Sequence, residues 1–576
     1  MADYEVYLVS SLEKVFPTHR PTPMEAGQRL SVWRGARASV QMAYYARINA
    51  PLLEMLPTFT VQASGGPAIA RMRTVELVPS DYPSYARARA DDNYLTHEPG
   101  LLPDLLRPLE SPRITPIPGQ YRSLWLSWDI PGTALPGEYE ISIDVRAEEE
   151  MLSPMGTLCR NPLAEEQRFH LSFIVHVRAA ELPRQELIHT EWFHADCLAS
   201  YYQVEPLGET HWNIMDHFIA SAAEHGVNML LTPVFTPPLD TWVGGERPTV
   251  QLVQVTLQGD AYTFDFSALS RWVGLCKKHR IRYLEIAHLF TQWGAKATPK
   301  IMATVNGVSK RLFGWDVPAA SREYRAFLEA FLPALRAHLA AEGYDRQHVF
   351  FHVSDEPAEA HLEEYRAARL QVQDLLAGCP VIDALSSLTF YQKGLVDHPI
   401  PAVNHLRAFL DAKVSDLWTY YCCDQSVSSP NRFCAMPSAR SRIMGVLLYL
   451  YDIKGFLHWG FNFYYSQFSR HLIDPFRVTH AGYAFPTGDP YLVYPGPEGY
   501  PLSSIRAEVQ DDALLDLRAL RLLERVAGRN AVEALIRKTA GRQPITFESY
   551  PRDAGFLLAL RENVAAAIES KTTHDI

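Results

Sequence analysis

The chain has 576 residues, of which 47% are hydrophobic and 21% charged, a composition typical of a folded globular protein with two or three domains. Its net charge of −11, from 65 acidic and 54 basic residues without a basic run, argues against nucleic-acid binding. The first residues show no basic segment followed by an apolar one, and no uncharged apolar run reaches the roughly 18 residues of a membrane span. We therefore expect a cytoplasmic protein that binds neither nucleic acid nor membrane, and the oligomeric state stays open.

Residues 1–182 have the alternating, β-branched pattern of antiparallel strands, and Pro-Gly pairs separate several of the runs. This pattern predicts an N-terminal antiparallel β-sandwich domain over residues 1–182, with a long irregular proline-rich insertion around residues 78–118. The predicted strands cover residues 4–9, 38–46, 123–129, 139–145 and 169–177.

Beyond residue 182, short apolar runs alternate with longer amphipathic segments, which is the rhythm of βα units around a parallel sheet. Eight such units predict a (β/α)8 TIM barrel over residues 183–530. An open doubly wound sheet is the alternative, although no glycine-rich phosphate loop follows any strand. Residues 531–576 are predicted to form a helical segment that packs on the barrel. The predicted barrel strands cover residues 187–192, 228–234, 283–288, 349–353, 381–384, 416–421, 455–459 and 492–494.

Polar and aromatic residues end most of the predicted barrel strands, at the edge where barrel enzymes place their reactive groups. Aromatic rings offer flat platforms to the C–H faces of sugars, and carboxylates, amides and histidines contact the hydroxyls. Any one of these aromatics is by itself more typical of core packing, but their recurrence at six strand ends indicates a carbohydrate site. The candidate substrate-binding residues chosen by strand-end position are His194, Asp196, His352, Tyr391, Tyr420, Tyr464 and Tyr494.

The acidic pair Asp355-Glu356 follows the predicted fourth barrel strand. Two carboxylates near a buried barrel mouth are costly unless they have partners or a chemical task, and capping of the helix that begins near Ala358 is the structural alternative. The usual two-carboxylate glycosidase mechanisms need groups about 5–9.5 Å apart on opposite sides of the scissile bond, which adjacent residues cannot easily supply. Adjacent carboxylates suit a substrate-assisted reaction. One would orient the 2-acetamido group of the sugar, and its neighbour would protonate the leaving oxygen.

The seven cysteines, an odd number without paired spacing, indicate reduced thiols. The adjacent residues Cys422 and Cys423 are interpreted as packing residues, since a metal or redox role is the rarer use of such a pair.

Five segments resemble the catalytic domain of glycoside hydrolase family 123, also called domain of unknown function 4091. The most specific are the Asp-Glu-Pro triplet at 355–357, the Trp-Gly-x-Asn stretch at 459–462 and the Ser-x-Arg-x-Glu stretch at 504–508, in that order; residues 192–197 and 231–240 add to them. The resemblance implies a β-sandwich followed by a (β/α)8 barrel. It also implies retaining β-N-acetylgalactosaminidase activity on a small oligosaccharide or glycoside by substrate-assisted catalysis, with no metal or other cofactor.

Carried over by motif, the resemblance makes Glu356 the general acid/base and Asp355 the residue that holds the acetamido group. It places Trp459 in the wall of the sugar pocket and Asn462 in contact with a hydroxyl or amide. Residues 508–512, Glu-Val-Gln-Asp-Asp, depart from the Arg-Asp-Gly-x-Glu-Asp run associated with the family, which leaves the identity of the sugar open.

Three other functions stay open at this stage. The first is a glycosidase for another sugar, and the second is a catalytically silent carbohydrate-binding barrel. The third is a metal-dependent hydrolase, although no His-x-His or helical His-x-x-x-His spacing supports it. Its candidate ligands near strand ends are His189, His194, His288, His352 and His458.

Overall fold

A computed structural model of the chain describes residues 3–25, 27–47, 56–86, 89–152, 157–161 and 165–572. Its N-terminal region is rich in β-structure. The strands there are β1 (Asp3–Ser10), β2 (Arg29–Trp33), β3 (Arg37–Arg47), β4 (Leu56–Gly65), β5 (Arg71–Ser80), β6 (Gly100–Pro108), β7 (Arg113–Ile114), β8 (Arg122–Asp129), β9 (Gly137–Leu152), β10 (Leu158–Arg160) and β11 (Gln167–Arg178). Each of the five predicted strands lies within an observed one.

These strands form two sheets, with the orders β1-β3-β8-β5-β6 and β2-β11-β9-β4-β7, and β10 pairs with β9. All pairs are antiparallel except β2 with β11. Alternate side chains point inward, so Met42 and Leu126 of one sheet share an apolar core with Val61 and Ile143 of the other. The prediction of an antiparallel β-rich N-terminal region is confirmed.

The predicted irregular insertion at residues 78–118 is wrong in part, because β6 runs through it and pairs antiparallel with β5. Strand β6 contains two prolines, Pro103 and Pro108, so its sequence does not look like that of a strand. Strand β6 lies at the edge of its sheet, where a missing N–H group is tolerated.

The region after residue 187 combines short strands with helices. Its strands are β12 (Ile188–Glu191), β13 (Met229–Thr232), β14 (Gln254–Gln258), β15 (Ala261–Asp265), β16 (Tyr283–Ile286), β17 (Ile301–Val305), β18 (Val308–Phe313), β19 (Val349–Phe351), β20 (Ile382–Ala384), β21 (His398–Ile400), β22 (Trp418–Tyr420), β23 (Gly455–His458), β24 (Tyr494–Pro495) and β25 (Pro501–Leu502). Its α-helices are α1 (Ala195–Tyr202), α2 (Glu209–Glu224), α3 (Ser267–Lys278), α4 (Arg322–Ala341), α5 (Leu362–Leu370), α6 (Leu388–Gln392), α7 (Leu406–Asp411), α8 (Ser438–Arg442), α9 (Met444–Leu450), α10 (Ile505–Ala527), α11 (Arg529–Ala540) and α12 (Ala554–Thr572).

Six strands form a curled parallel sheet in the order β19-β16-β13-β12-β23-β22. Strands β20 and β21 form a second parallel pair. Both β13 and β23 are buried along their whole length, as expected for parallel strands covered on both faces. A separate sheet, β15-β14-β17-β18, is inserted between the barrel-type strands β13 and β19 along the chain, with β16 interrupting it.

The predicted eighth strand at residues 492–494 is wrong. Tyr494 lies in β24, which pairs antiparallel with β25 outside the parallel sheet. The parallel strand that the prediction missed is β21, a three-residue His-Pro-Ile segment whose central proline cannot donate a ladder hydrogen bond and therefore looks like a loop in the sequence.

Buried ion pairs join the N-terminal sheets to α10. Asp104 of β6 accepts two hydrogen bonds from Arg506, and Arg73 of β5 pairs with Glu508. The backbone continues this contact, because the amide of Leu106 donates to the carbonyl of Ser503. The Ser-x-Arg-x-Glu stretch at residues 504–508 therefore contacts the N-terminal region rather than a sugar pocket.

The last helix, α12, contacts both parts of the chain. Arg561 pairs with Asp512 and Asp516 of α10, while Glu569 pairs with Arg178 of β11. The predicted domain boundaries at residues 182 and 530 stay predictions. Among the described residues, no helix combines the length and the hydropathy that a bilayer crossing requires.

Candidate active site

Asp355 and Glu356 lie in the loop that follows β19. The amide of Trp293 donates to the carbonyl of Asp355, and the amide of Glu356 donates to the carbonyl of Ala384, the last residue of β20. Because these bonds come from two neighbouring strand ends, they hold both carboxylates at the same edge of the sheet. Glu356 has φ +43°, in the left-handed region, so its conformation is imposed by the surrounding structure.

One pocket contains both carboxylates. Four of the sequence-predicted site residues line it: Asp355, Glu356, Tyr420 and Trp459. The other lining residues are Trp192, Leu239, Asp240, Gln292, Trp293, Ala384, Cys422, Cys423, Leu457, Gln467, Phe468 and Phe485. Aromatic rings and acids thus dominate the wall, and its described lining contains no lysine, arginine or histidine.

The pocket raises the affinity of its carboxyls for protons. Burial and the neighbouring charge of Glu356 raise the pKa of Asp355 well above its ordinary value. Burial also raises the pKa of Glu356, against the opposing effect of a hydrogen bond that the hydroxyl of Tyr420 donates to Oε1. Asp240 has a pKa raised to about 6, again chiefly by burial. Both carboxyls therefore keep a proton to higher pH than an isolated carboxyl does.

Loop residues around the pocket share an unusual backbone. Asp240 (φ +39°), Trp293 (φ +56°) and Phe468 (φ +60°) are in the left-handed region, as is Glu356. The amide of Phe468 donates to the carboxylate of Asp240, and its carbonyl accepts from the amide of Trp242, which fixes one loop against the other. Such conformations cost about 1–3 kcal/mol each and concentrate where a site requires them.

His352 lies beneath the pocket and is fully buried. Its Nε2 is 2.6 Å from Glu285 and its Nδ1 is 3.1 Å from Asp383, and these two carboxylates raise its pKa to about 9 despite burial. Trp192 also donates to Glu285. The predicted direct sugar contact of His352 has no geometric basis, since His352 is outside the lining and supports it from below.

His194, Asp196 and Asn462 form a buried cluster behind Trp459. Nε2 of His194 donates to the carbonyl of Trp459. Asp196 pairs with both ends of the Arg247 guanidinium, which also donates to Nδ1 of His194. Asn462 exchanges two hydrogen bonds with the backbone of His194. Burial, followed by the charge of Arg247, lowers the pKa of His194 to about 3. These three predicted sugar contacts lie outside the lining and hold the segment that carries Trp459.

The remaining predicted tyrosines lie away from the pocket. Tyr464 is buried and donates to the carbonyl of Val493, and Tyr494 donates to Asp104 at the contact with the N-terminal sheets. Tyr391 belongs to α6 and is half-buried against the core. Tyrosines at strand ends are as common in packing as in binding, and position alone could not separate the two uses.

Six aromatic or amide residues of the pocket wall lay outside the sequence-derived set: Trp192, Gln292, Trp293, Gln467, Phe468 and Phe485. All but Trp192, which directly follows β12, come from loops whose course the apolar periodicity does not reveal. A weak signal existed for Phe485, because aromatic residues are dense between residues 459 and 494.

Donor atoms of His288, His352 and Asp383 lie within 4.8 Å of one another. The two imidazole rings are stacked, with centroids 4.1 Å apart, so their nitrogens do not converge on one point. Both nitrogens of His352 already contact carboxylates. The cluster therefore lacks the converging nitrogens that a metal ion requires.

The sequence model of the family described as "Glycoside hydrolase 123, catalytic domain" matches residues 192–523. A family 123 glycoside hydrolase from Clostridium perfringens, solved in work on glycolipid glycan hydrolysis, superposes with TM-score 0.70 at 14% identity over 99% of this chain and 98% of its own.

Two further solved structures superpose less well. A family 5 mannosidase from Rhizomucor miehei has TM-score 0.32 at 12% identity, over 57% of this chain and 92% of its own. A β-glucuronidase from Ruminococcus gnavus has TM-score 0.31 at 9% identity, over 89% of this chain and 97% of its own. No curated protein sequence matches the chain. Since the family match extends over more than half of its length, the chain belongs to glycoside hydrolase family 123.

Proposed function

We propose that this chain is a retaining exo-glycosidase that releases β-linked N-acetylhexosamine, with N-acetylgalactosamine as the expected sugar, by substrate-assisted catalysis. The observation that carries the proposal is the placement of adjacent Asp355 and Glu356 in one aromatic pocket whose described lining has no cationic side chain. Without a cation to neutralise them, these carboxyls are free to exchange protons with a substrate.

The proposed roles follow from the geometry of the two side chains. Asp355 makes no side-chain hydrogen bond with any described residue and accepts the N–H of the 2-acetamido group, which turns the amide oxygen toward C1. That oxygen attacks C1 as the glycosidic bond breaks, and Glu356 donates its proton to the leaving oxygen. An oxazolinium intermediate results, and the carboxylate of Asp355 stabilises its charge. Glu356 then takes a proton from the water that opens the ring, with retention at C1.

Substrate binding decides which carboxyl of the pair is ionised. An N–H donated to Asp355 favours its ionised form, while Glu356 keeps the proton that the leaving oxygen needs. Tyr420 contacts one oxygen of Glu356 and leaves the other for the leaving group. Trp459 offers an apolar platform, held by the hydrogen bond that its indole donates to Asp489.

We also infer that the parallel strands close into a complete (β/α)8 barrel. Single parallel bridges from Phe351 to Val381 and from Ala402 to Tyr420 continue the pairing on both sides of the β20-β21 pair, and they support this inference. A closed sheet would bring all eight strand ends to one pocket, as the proposed reaction requires.

Hydrolysis of a panel of aryl β-glycosides, with and without the 2-acetamido group, tests the reaction. We expect cleavage of N-acetylgalactosaminides and strong inhibition by a thiazoline that mimics the oxazolinium intermediate. Cleavage of the plain galactoside without thiazoline inhibition would contradict substrate assistance. Comparing the galacto and gluco epimers identifies the sugar, because they differ only in the 4-hydroxyl.

The natural substrate we propose is a small glycoside or oligosaccharide in the cytoplasm. The glycolipid glycans studied with the Clostridium relative form the second class to assay. Fractionation of the producing cells, with activity found outside the cytoplasm, would contradict the proposed location.

A further inference from the structure

Cys422 and Cys423 are part of the pocket wall, which the packing interpretation of this pair did not anticipate. They directly follow β22, whose Tyr420 donates a hydrogen bond to Glu356. Cys422 is buried and Cys423 is half-buried. The other five cysteines lie outside the pocket lining, so the adjacent pair is the one place in the described chain where two thiols face the site.

The two thiols belong to adjacent residues of one pocket wall, and their backbone is well fixed. The peptide bond between them is trans. The amide of Cys422 donates to Gln425, and its carbonyl accepts from Asn431. These hydrogen bonds hold the backbone that presents both thiols to the pocket.

The two thiols differ in reactivity. The adjacent Cys423 thiol, burial and the nearby charge of Glu356 raise the pKa of the Cys422 thiol. Cys423 is the more accessible of the two, and the thiolate is the form that attacks an oxidant. Cys423 is therefore the expected attacking residue, and Cys422 is the resolving one.

We propose that Cys422 and Cys423 form a reversible oxidation site, at which a hydroperoxide converts the two thiols into a disulfide between adjacent residues. The Cys423 thiolate attacks the peroxide, breaks its O–O bond and becomes a sulfenic acid, while the released hydroxide takes up a proton to give water. The Cys422 thiol then attacks the sulfenic sulfur, the S–S bond forms and a second water leaves. Two thiols and one hydrogen peroxide thus give one disulfide and two waters.

The geometry makes this disulfide easy to reduce. Adjacent Cα atoms across a trans peptide are about 3.8 Å apart, less than the roughly 4.4–6.8 Å that unstrained disulfides span. Strained disulfides have higher reduction potentials and are the labile ones. Closing the ring also changes the backbone two residues after Tyr420, so the oxidised pocket loses the hydrogen bond to Glu356. Oxidation should therefore inhibit glycoside hydrolysis, a consequence that rests on the proposed function.

Mass spectrometry of the full chain after brief treatment with hydrogen peroxide tests the site. We expect a loss of two hydrogen atoms, about 2 Da, reversed by dithiothreitol. The peptide with both cysteines should resist alkylation until it is reduced. Cys159→Ser, which removes an exposed thiol far from the pocket, should behave as the wild type, whereas Cys423→Ser should lose the reversible change. Alkylation of both thiols after peroxide, or oxygen adducts that dithiothreitol does not remove, would overturn the proposal.

Activity provides the second readout. Hydrolysis by wild type and by Cys159→Ser should fall in proportion to the disulfide fraction, at least tenfold at full conversion, and recover with dithiothreitol. Full activity in the fully oxidised protein would overturn control of the pocket by this pair. Absence of hydrolysis by the reduced wild type would instead contradict the proposed function, and the mass readout would still decide on the oxidation site.

Discussion

Two groups of buried carboxylates in this molecule have opposite electrostatic environments. Glu191, at the end of β12, is fully buried but lies 2.7 Å from Arg432. Burial would raise its pKa, yet Arg432 and the adjacent histidines lower it to about 2. Asp355 and Glu356, in the loop after β19, have no arginine partner among the described residues, and their pKa values are raised. Carboxylates of the first group hold the fold, and those of the second are available for proton transfer.

Other buried carboxylates also have an arginine partner, as Glu191 does. The buried ion pairs are Asp196 with Arg247, Asp104 with Arg506 and Asp516 with Arg442. In each, the cation comes from a segment distant in sequence. A carboxylate at a strand end can therefore either hold the fold or be available for proton transfer. An arginine partner indicates the first role.

Replacing Asp355 with Asn should have the largest effect. The amide keeps the shape and its oxygen can still accept the acetamido N–H, but it has no negative charge to stabilise the oxazolinium ion, so kcat/KM for an aryl N-acetylgalactosaminide should fall about 10³-fold. Steady-state kinetics measures this loss. Urea unfolding of the same variant should show undiminished stability, since the substitution removes the charge repulsion with Glu356. Activity within a factor of a few of wild type would remove Asp355 from the mechanism.

Replacing Glu191 with Gln should have the opposite profile. It leaves the buried guanidinium of Arg432 without its counter-charge, and we expect a loss of about 3–5 kcal/mol in the free energy of unfolding. Urea denaturation at pH 7 measures this loss. Asp411→Asn, which breaks an exposed helical ion pair with Arg407, is the matched control and should change nothing measurable. Equal stability of the two variants would show that the buried ion pair of Glu191 does not hold the fold.

Replacing Asp240 with Asn should stabilise the protein, in contrast to Glu191→Gln. Because the pKa of Asp240 is raised to about 6, the folded state binds this proton more tightly than the unfolded state. Ionising Asp240 therefore costs stability in the folded state. This cost is absent below about pH 4, grows between about pH 4 and 6, and is complete above that range. The variant should gain about 3 kcal/mol at pH 7 and nothing at pH 4. Thermal unfolding at both values measures the difference, and a loss of stability at pH 7 would be the contrary result.

Replacing Tyr420 with Phe should shift a pH profile. The phenol stabilises ionised Glu356 and so lowers its pKa, which means that its removal raises the pKa of Glu356 further. The alkaline limb of kcat/KM, where the acid loses its proton, should move upward by about one pH unit, the equivalent of one hydrogen bond. A limb that stays in place or moves downward would show that Tyr420 does not contact the acid during reaction.

The same contrast explains what could be predicted from the sequence. The acidic pair was identifiable because two carboxylates follow an apolar strand, and β3 and β8 because their side chains alternate. Asp196 was misplaced because its partner Arg247 lies 51 residues away in a loop, where no periodicity signals the pairing. Strand β21 was missed because three residues around a proline carry no strand pattern.

The loops could be predicted least. Trp293 and Phe468 reach the pocket through left-handed backbone conformations, which the side-chain pattern does not encode and which tertiary contacts impose. The position of the acidic pair and the parallel-sheet region were thus predictable, and the exact wall of the pocket was not.

The most direct test of the central claim is the leaving-group dependence of Glu356→Gln. If Glu356, which has no cationic partner in the pocket lining, is the proton donor, kcat/KM for a 2,4-dinitrophenyl N-acetylgalactosaminide should stay near the wild-type value, because dinitrophenolate leaves without protonation. For a poor leaving group, such as a methylumbelliferyl or saccharide aglycone, it should fall about 10²–10⁴-fold. An equal loss on both substrates would contradict the assignment of Glu356 as the acid.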